Sequence, residues 1–393
     1  MKIFPENNKL TIFLEGRIDT NNAAQVEKEL TEETGKASGA EIVIDADKLE
    51  YISSAGLRVL MKLRKQQKAP FTVVNVSRDV YDIFETTGFT ELMDVRKKLR
   101  EISVEGCELV GEGGNGKVYR IDDDKIVKLY SDASMESVKR EQEYARTALV
   151  NGIPTVIPYD VVKCGDNYGV VFELVKSDTL GHAISAHPEQ MDELTDKYVE
   201  LAKKLHSTHI PKGKITDVRD LLRSRIEGLA EWTAAEERKI LSDIVDRMPE
   251  SDTILHNDLH PGNIMIQDDE FVLIDLADVT VGPKAFDLAA IYRDMIAGAR
   301  TQPDVTEKSL GMTVDMVEQV GQLFFVKYTG LTDPDALKEY FGKIGLLFAF
   351  NTVLIAGAGI TSAKAFAPQI MDNLLRPVVI PNKDAIPYLL SVL

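Results

Sequence analysis

The chain has 393 residues, more than one folded domain usually contains, and 44% of them are hydrophobic, which is ample for globular packing. The 63 acidic residues outnumber the 46 basic ones and give a net charge of −17. This charge argues against nucleic acid as the main partner, because phosphate backbones bind basic surfaces. The two cysteines show no disulfide or zinc pattern, and the start MKIFPENNKL lacks the apolar core of a signal peptide. We therefore expect a cytoplasmic protein that does not act on membranes.

The first hundred residues alternate between strand and helix patterns. Strand patterns lie near 9–15, 41–46 and 71–75, and helix patterns near 22–34 and 55–67, which predicts a small α/β domain. In YISSAGLRVLMKL, Ser53 or Ser54 precedes an apolar helix and is suited to cap its free N–H groups. The alternative is a phosphorylation switch, because a helix N-terminus also stabilises phosphate.

Two longer segments of this region carry a family resemblance. GRIDTNNAAQVEKEL and IVIDADKLEYISSAGLRVL resemble a STAS domain of the anti-sigma factor antagonist type, and we assign residues 1–103 to it. The resemblance implies a protein partner of the anti-sigma factor kind and a phosphorylated serine at the start of the helix, which matches Ser54. The position before that serine is usually Asp in the family and is Ser53 here.

A glycine-rich segment, VGEGGNGKVY, stands before a predicted β-hairpin. Glycines allow backbone amides to approach a phosphate closely, although a lone glycine-rich loop is weak evidence. The glycines of this segment are Gly111, Gly113, Gly114 and Gly116.

The next strand and helix predict a buried ion pair. In KIVKLY, period-two alternation places Lys128 on the same face as Ile126. In the following helix, Glu141 falls on the apolar stripe that also contains Val138 and Ala145. A carboxylate on that face needs a partner, and Lys128 is the nearest candidate by sequence. The alternative for Lys128 is an exposed strand lysine.

The octapeptide HNDLHPGN and the later strand FVLID have the layout of a phosphoryl-transfer site. Such sites need a base that orients the nucleophile, and they need oxygen ligands for magnesium. Asp258 suits the role of the base, and Asn263 and Asp275 suit the role of magnesium ligands. If Asp258, Asp275 and Asp278 lie within about 4 Å, each pair repels by about 4 kcal/mol at an effective dielectric constant of about 20, so we expect a cation among them. The alternative is that Asp258 and Asn263 only cap turns around Pro261 and Gly262.

The ordered set of glycine loop, Lys, Glu, Asp, Asn and Asp resembles the aminoglycoside phosphotransferase and choline kinase family, which is related to protein kinases. The resemblance implies an α+β bilobal fold for residues 104–393, with a β-rich N-lobe over about 104–175 and a helical C-lobe over about 176–393. It also implies ATP and Mg²⁺ as cofactors and an alcohol group as the acceptor.

The same resemblance implies a role for each site residue. The glycine loop covers the ATP phosphates, Lys128 contacts the α and β phosphates, and Glu141 holds Lys128. The hinge from Glu173 to Val175 receives adenine through its backbone. Asp258 is the catalytic base, Asn263 and Asp275 carry magnesium, and Asp287 braces the catalytic loop; the alternative for Asp287 is an acid favoured by the dipole of the helix it begins. In two departures from the family, Asn257 stands where glycine is frequent, and Leu-Ala follows Asp275.

A small-molecule acceptor is expected, because the segment between Asp275 and Asp287 is too short for a long activation loop. The helix-patterned insertion from about 185 to 250 resembles the lobe that builds substrate pockets in the small-molecule kinases. Arg219, Arg223 and Arg225 in this insertion either meet an anionic substrate or form an ordinary solvated helix face.

Two hypotheses of function follow. The first is an ATP- and Mg²⁺-dependent phosphotransferase with a regulatory or docking STAS domain. The second is a signalling protein in which nucleotide occupancy of the kinase-like domain controls the partner of the STAS domain, or in which that domain phosphorylates Ser54.

Overall fold

The computed structural model describes residues 2–6, 9–36, 39–68, 70–113, 116–131, 133–301, 303–359 and 361–393. The chain divides into two compact units, Met1–Ile102 and Ser103–Leu393, and each is described by itself.

The first unit is a five-stranded sheet with three helices. Its strand order is β1-β2-β3-β4-β5; β1 and β2 are antiparallel, and the remaining neighbours are parallel. A 3₁₀ turn, Phe89–Glu91, precedes β5, and a two-residue strand, β6 (Arg100–Glu101), follows it. The other elements are β1 (Lys2–Glu6), β2 (Lys9–Ile18), α1 (Ala23–Lys36), β3 (Glu41–Ile52), α2 (Ser54–Gln66), β4 (Phe71–Val76), α3 (Arg78–Thr86) and β5 (Asp94–Lys97).

The core of this unit follows from strand alternation. Leu10, Ile12 and Leu14 of β2 point to the buried face, as do Ile42 and Ile44 of β3. These strands pack on the apolar faces of the helices and form one cluster of buried side chains. Parallel strands need helical crossovers, which explains the alternating pattern in the sequence.

The start of α2 is fixed by a serine cap. The Oγ of Ser53 accepts the N–H of Gly56 at 3.4 Å, and Ser54 is the first helical residue and is exposed. Gly56 allows close packing here, since a Cβ at this position would come within 2.7 Å of Ile18 and Ile52 side-chain atoms. Capping therefore belongs to Ser53 and leaves the side chain of Ser54 towards solvent.

The second unit begins with five antiparallel strands and one long helix. The strands are adjacent in the order β10-β11-β9-β8-β7, and α4 connects β9 with β10. The bounds are β7 (Glu108–Gly113), β8 (Gly116–Arg120), β9 (Lys125–Tyr130), α4 (Met135–Val150), β10 (Pro158–Cys164) and β11 (Asn167–Glu173).

The rest of the second unit is mainly helical. Two small hairpin-like pairs, β12 with β15 and β13 with β14, carry the segment that contains HNDLHPGN and FVLID. The strands are β12 (Ile254–Leu255), β13 (Ile264–Gln267), β14 (Glu270–Leu273) and β15 (Thr280–Val281). The α-helices are α5 (Leu180–Ala186), α6 (Met191–His206), α7 (Val218–Gly228), α8 (Ala235–Asp246), α9 (Ala285–Tyr292), α10 (Pro303–Leu310), α11 (Val314–Thr329), α12 (Pro334–Ala356), α13 (Thr361–Ile370) and α14 (Ala385–Val392). Short 3₁₀ turns cover Pro188–Gln190, Pro261–Asn263 and Ile380–Asn382, and π-helical segments cover Arg293–Ala297 and Met371–Val379.

Helix α12 is long and apolar enough, by length and composition, to cross a membrane. In this structure Phe350, Val353 and Leu354 are fully buried in a cluster that also contains side chains of α7, α8 and α9. The helix thus packs as a core element of the second unit.

Candidate active site

Lys128, Glu141 and Asp275 form one ion cluster, in which Lys128 and Glu141 are largely buried and Asp275 is partly exposed. The Lys128 Nζ donates to Glu141 Oε1 at 3.0 Å and to Asp275 Oδ1 at 2.8 Å. Glu141 is only 4% exposed, so its carboxylate needs this partner, as the sequence pattern predicted. The predicted pair between Lys128 and Glu141 is therefore formed, and the structure adds Asp275 to it.

The pKa shifts agree with a desolvated cluster. Burial acts to lower the pKa of Lys128, but the carboxylates of Glu141 and Asp275 outweigh it and raise that pKa. Burial raises the pKa of Glu141, and the charge of Lys128 opposes this. Lys128 therefore stays cationic at every physiological pH and is available for an anionic ligand.

The predicted glycine loop lies in the β7–β8 hairpin, where Gly113 pairs with Gly116 in register. Gly116 has a φ of +153°, and a Cβ there would collide with the carbonyl oxygen of Leu129. Above Gly113 there is open space, and Gly111 has only ordinary contacts with Val118. Gly114 lies outside the described residues. Gly116 is thus required for strand packing, whereas Gly113 leaves room for a ligand.

The predicted hinge follows β11. The N–H of Glu173 donates to Ile157 O at 3.1 Å, and the N–H of Leu174 donates to Asp124 O at 2.9 Å. The N–H of Val175 has no acceptor among the described residues, although Val175 itself is buried. A buried N–H normally has a partner, so this group is a candidate donor for a ligand.

Asp258 is held by three side chains. Its Oδ2 accepts the amide of Asn263 at 3.0 Å and faces His260 Nε2 at 3.5 Å, while its Oδ1 lies 3.2 Å from Arg293 Nη2. Burial acts to raise the pKa of Asp258, but His260 and Arg293 outweigh it and hold this pKa well below its usual range. The carboxylate therefore remains ionised through the neutral range.

The HNDLHPGN segment, residues 256–263, is called the catalytic loop below. The backbone of this loop fixes the imidazole of His260. Its Nδ1 accepts the N–H of Gly262 at 3.1 Å, so the proton of the neutral ring sits on Nε2 and faces Asp258. Gly262 is needed for this turn, because a Cβ there would collide with the carbonyl oxygen of Ser309. Close packing of the loop on α10 thus sets the orientation of the ring.

Asp287 braces the catalytic loop and is therefore more than an acid favoured by the dipole of α9. It is fully buried, and its carboxylate accepts the backbone N–H groups of His256 at 2.9 Å and Asn257 at 2.6 Å. It also lies 3.1 Å from His206 Nε2. His256 is a structural residue, because its Nε2 lies 3.1 Å from the carbonyl oxygen of Ile274.

Asn257 explains one departure from the family pattern. Its φ is +64°, a left-handed conformation that glycine adopts freely and that Asn tolerates better than most residues. Its amide also donates to Asp278 O at 2.7 Å and to Thr280 Oγ1 at 2.9 Å. The asparagine therefore keeps the backbone conformation and adds a link to the loop after Asp275.

The donor set at Asn263 and Asp275 fits a hard divalent cation. The N–H of Ile274 donates to Asn263 O at 3.0 Å, which brings the two residues to the same end of the β13–β14 pair. Because Nδ2 of Asn263 faces Asp258, its Oδ1 is left as an oxygen donor. Among the described residues Asp275 Oδ2 has no hydrogen-bond partner, and no group of three or more His, Cys, Asp or Glu residues has metal-binding geometry.

The pKa of Asp278 reflects the negative charge of the neighbouring carboxylates. Although Asp278 is exposed at the surface, partial loss of water around its carboxylate raises its pKa, and the carboxylates of Asp275 and Asp258 raise it further, while Arg225 opposes them. Asp278 is thus close enough to Asp275 and to Asp258 to be repelled by both carboxylates. A bound cation would relieve this repulsion.

A cavity of about 380 Å³ opens beside Asp258. It lies between the catalytic loop, the π-helical turn after α9, and α10. Its polar lining includes Asp258, His260, Arg293, Asp294, Thr301 and Ser309.

Sequence reasoning missed Arg293 and the link from His260 to Asp258. Arg293 sits 35 residues from Asp258 in the chain, and its pairing with Asp294, 2.7 Å from Nε to Oδ1, gives no periodic signal. For the arginines of the insertion, Arg219 pairs with Asp217 and Arg223 with Asp220, as on an ordinary helix face. Arg225 instead is largely buried, and its Nε has no hydrogen-bond partner within the part of the chain that the structure describes.

Family comparisons agree with this geometry. The family model named "Phosphotransferase enzyme family" matches residues 106–309, slightly more than half of the chain, and the model of the STAS domain matches residues 2–102. The chain therefore belongs to the phosphotransferase enzyme family and carries an N-terminal STAS domain of the anti-sigma factor antagonist type. Its fold is an α/β STAS domain followed by a protein-kinase-like α+β domain, as predicted.

Two relatives match different parts of the chain. A methylthioribose kinase of Geobacillus thermodenitrificans (strain NG80-2) is 29% identical over 100 residues, which are 25% of this chain and 24% of that protein. The putative anti-sigma factor antagonist BtrV of Bordetella bronchiseptica is 34% identical over 85 residues, which are 21% of this chain and 72% of that protein. The match thus spans about a quarter of the length of the methylthioribose kinase.

Solved structures with a similar chain trace have low sequence identity. A streptomycin–ATP ternary complex of APH(2")-IIa aligns with a TM-score of 0.46 and 16% identity, covering 68% of this chain and 92% of that chain. A choline/ethanolamine kinase family protein from Mesorhizobium loti aligns with a TM-score of 0.42 and 14% identity, covering 72% and 92%.

Proposed function

We propose that the second unit transfers the γ-phosphoryl group of ATP, bound with Mg²⁺, to a hydroxyl group of a small molecule. The observation that carries this proposal is the position of Asp258, an ionised carboxylate that lines a cavity and that, like Asp275, raises the pKa of Asp278. Membership of the phosphotransferase enzyme family supports it.

On this proposal, Lys128 binds the α and β phosphates, and Glu141 holds its ammonium group in place. The free N–H of Val175 donates to adenine, and the open space above Gly113 admits the phosphates. Asn263 and Asp275 hold Mg²⁺ through their oxygens, and the ion supplies neutralisation of phosphate charge. Each of these roles uses a group that the structure leaves available.

Asp258 positions the acceptor. Its carboxylate accepts a hydrogen bond from the acceptor hydroxyl, whose oxygen attacks the γ-phosphorus as the bond to the β–γ bridging oxygen breaks. ADP leaves, and the hydroxyl proton passes to Asp258. The low pKa favours the ionised form that can accept this hydrogen bond, while Arg293 and Asn263 fix its direction.

The cavity beside Asp258 supports a small polar acceptor. Its volume of about 380 Å³ is at the lower end of the usual range for small-molecule sites. Hydroxyl, carboxylate and guanidinium groups line it, which suits a molecule with several hydroxyl groups. The methylthioribose kinase relatives point to the same class, a sugar-like alcohol.

Asp258→Asn tests the assignment of the base. Purified full-length protein is screened for ATP consumption with methylthioribose, other sugars, aminoglycosides and choline. The variant should lose at least about a hundredfold in turnover, because a positioned acid or base contributes about that much or more. ADP binding should persist in the variant. Asp123→Asn, at a fully exposed carboxylate, is the control and should retain wild-type turnover. Equal turnover in Asp258→Asn and wild type would refute the role.

A second candidate function belongs to the STAS domain. We propose that phosphorylation of Ser54 changes the docking of an anti-sigma factor-like partner. The supporting observation is that Ser53 caps α2, so Ser54 is exposed and takes no part in the cap. Phosphate at a helix N-terminus is favourable, so the modified residue would add charge without disrupting the helix.

Mass spectrometry after incubation with ATP measures whether Ser54 is modified, with Asp258→Asn as the variant that cannot transfer phosphate. Partner capture is then compared for wild type, Ser54→Ala and Ser54→Asp. Different partner sets for the two variants are expected. Identical sets, together with an unmodified Ser54, would count against the switch.

A further inference from the structure

A second cleft of about 1210 Å³ lies within the second unit. Arg140 and Tyr144 of α4 line it, together with the segment 209–217 and the first half of α7. The segment 250–252 and Val281 of β15 complete the lining. None of the residues assigned above to nucleotide, base or metal lines this cleft.

Each acidic side chain that lines the cleft already has a basic partner. Two acids pair with Arg219, namely Asp217 at 2.6 Å and Glu250 at 3.5 Å. The remaining pairs are Asp220 with Arg223 at 3.1 Å and Asp252 with His209 at 2.5 Å. Each of these carboxylates therefore contacts a basic side chain, although Asp217 and Glu250 share Arg219, and His209 is charged only when it is protonated.

Three cations of the lining lack such a partner. Among the described residues, Arg140, Lys212 and Lys214 form no ion pair. Both lysines project from one tight turn, in which the N–H of Lys214 donates to Pro211 O at 3.2 Å and Gly213 has a φ of +82°. The lining holds five Lys and Arg side chains against four Asp and Glu side chains, a formal charge of +1 in a chain whose net charge is −17.

Thr216, which lines the cleft, is linked by hydrogen bonds to α4 and to β15. The Tyr144 hydroxyl lies 2.5 Å from Thr216 Oγ1, and Tyr144 stands one helical turn after Glu141. The carbonyl oxygen of Thr216 accepts the N–H of Val281 at 2.9 Å. The residue before Val281, Thr280, is hydrogen-bonded to Asn257 of the catalytic loop. Thr216 is thus in contact with α4 and with β15, the strand that follows the loop after Asp275.

We propose that this cleft binds a small polyanion, a molecule with several phosphate or carboxylate groups, and that the bound anion regulates the active site through Tyr144 and Thr216. Anionic groups pair with Arg140, Lys212 and Lys214 and draw the 211–214 turn towards α4. Movement of α4 changes the distance between Glu141 and Lys128. The regulatory half of this inference rests on the proposed phosphotransferase function, whereas the binding half does not.

Isothermal titration calorimetry with inositol hexakisphosphate as the probe tests the binding half. Full-length protein is saturated with ADP in the absence of metal, so that the nucleotide site is filled. The triple variant Arg140→Gln/Lys212→Gln/Lys214→Gln should bind the probe about tenfold more weakly, since each exposed charge pair contributes modestly. The charge-matched control is Lys338→Gln/Lys364→Gln/Lys383→Gln, in which three exposed lysines elsewhere are changed; it should bind within about twofold of wild type.

Citrate in place of inositol hexakisphosphate distinguishes carboxylate from phosphate ligands. Equal weakening by both triple variants would show that the probe follows net charge alone, and this would overturn the site. Failure of wild type to bind either probe would overturn it as well.

The Tyr144→Phe variant tests the regulatory half, because it removes the hydrogen bond to Thr216 and keeps the ring. With the probe present, the KM for ATP should shift at least about twofold in wild type and stay unchanged in Tyr144→Phe, while both proteins bind the probe equally. An equal shift in both proteins would contradict the coupling. Absence of phosphoryl transfer without any probe would instead count against the proposed function, and the calorimetry would still decide the site.

Discussion

Asp275 has a φ of +59°, a left-handed conformation that residues other than glycine seldom adopt. Strained residues of this kind tend to occur at ligand sites, where the surrounding contacts hold them. Here the ion pair with Lys128 and the neighbouring Asn263 hold the backbone. The strain directs one carboxylate oxygen to Lys128 and leaves the other for a ligand.

Asp278 gives a prediction about pH. The pKa of Asp278 is raised above the ordinary value of 3.8 by partial desolvation and by the charges of Asp275 and Asp258, although the residue is exposed. An acid with a raised pKa in the folded state costs no stability below that ordinary value, and the cost appears as pH rises through the folded pKa. Asp278→Asn should therefore stabilise the protein near neutral pH and have little effect below about pH 3.8.

Urea unfolding at both pH values measures this difference. Mg²⁺ with ADP should narrow the gap between wild type and Asp278→Asn at neutral pH, because a cation relieves the same repulsion. A gain in stability that is equal at both pH values would contradict the electrostatic origin.

The residues of the site differ in how far sequence could predict them. Lys128 and Glu141 were found because strand and helix periodicity place each on a buried face, and a buried acid needs a base. Arg293 reaches Asp258 only because α9 packs under the catalytic loop, which no local pattern encodes. The choice between Ser53 and Ser54 as the cap likewise depended on backbone geometry at the helix start.

At the scale of elements, two glycines of the β7–β8 hairpin have different roles, because Gly116 is packed against β9 and Gly113 faces open space. Gly116→Ala should prevent normal folding of the hairpin, because its Cβ would collide with the carbonyl oxygen of Leu129. Gly113→Ala meets nothing within 4 Å and should leave stability within about 1 kcal/mol of wild type. If phosphate approaches Gly113, this variant should raise the KM for ATP several-fold.

Thermal unfolding and steady-state kinetics of the two variants provide the measurement. An unchanged KM for ATP in Gly113→Ala would contradict the approach of phosphate to Gly113. Unfolding of Gly116→Ala at the wild-type temperature would contradict the packing role of Gly116.

The link between α9 and the catalytic loop predicts a large loss of stability for Asp287→Ala. This change leaves the N–H groups of His256 and Asn257 without an acceptor in a buried position, at a cost of about 3 kcal/mol. Asp304→Ala is the matched control, an exposed acid in the first turn of α10, and should cost about 0.5 kcal/mol through the helix dipole alone. Urea unfolding of both variants measures the difference. Similar losses would show that Asp287 acts as an ordinary helix-terminal acid.

For the whole molecule, motif order predicted the fold classes of the STAS domain and of the phosphotransferase domain. Sequence patterns sufficed because each unit buries its own core, with clusters that use side chains of that unit only. The acceptor cavity could not be predicted, since its lining comes from the catalytic loop, the turn after α9 and α10, which meet only after packing. The cleft lined by Arg140, Lys212 and Lys214 could not be predicted either, because which acids pair with which bases depends on how the helices and loops pack.

The most direct test of the central claim is calorimetric titration of ADP with and without Mg²⁺. Wild type should bind ADP at least about tenfold more tightly with the ion, whereas Asp275→Asn should lose most of this dependence, since it removes the carboxylate that we propose as a metal ligand. Asp269→Asn is the control, because this exposed residue has the same left-handed backbone, with a φ of +65°, and lies at the far end of the β13–β14 pair. It should behave as wild type. If wild type binds no nucleotide, or if Asp275→Asn keeps the full effect of Mg²⁺, the assignment of this site to phosphoryl transfer is contradicted.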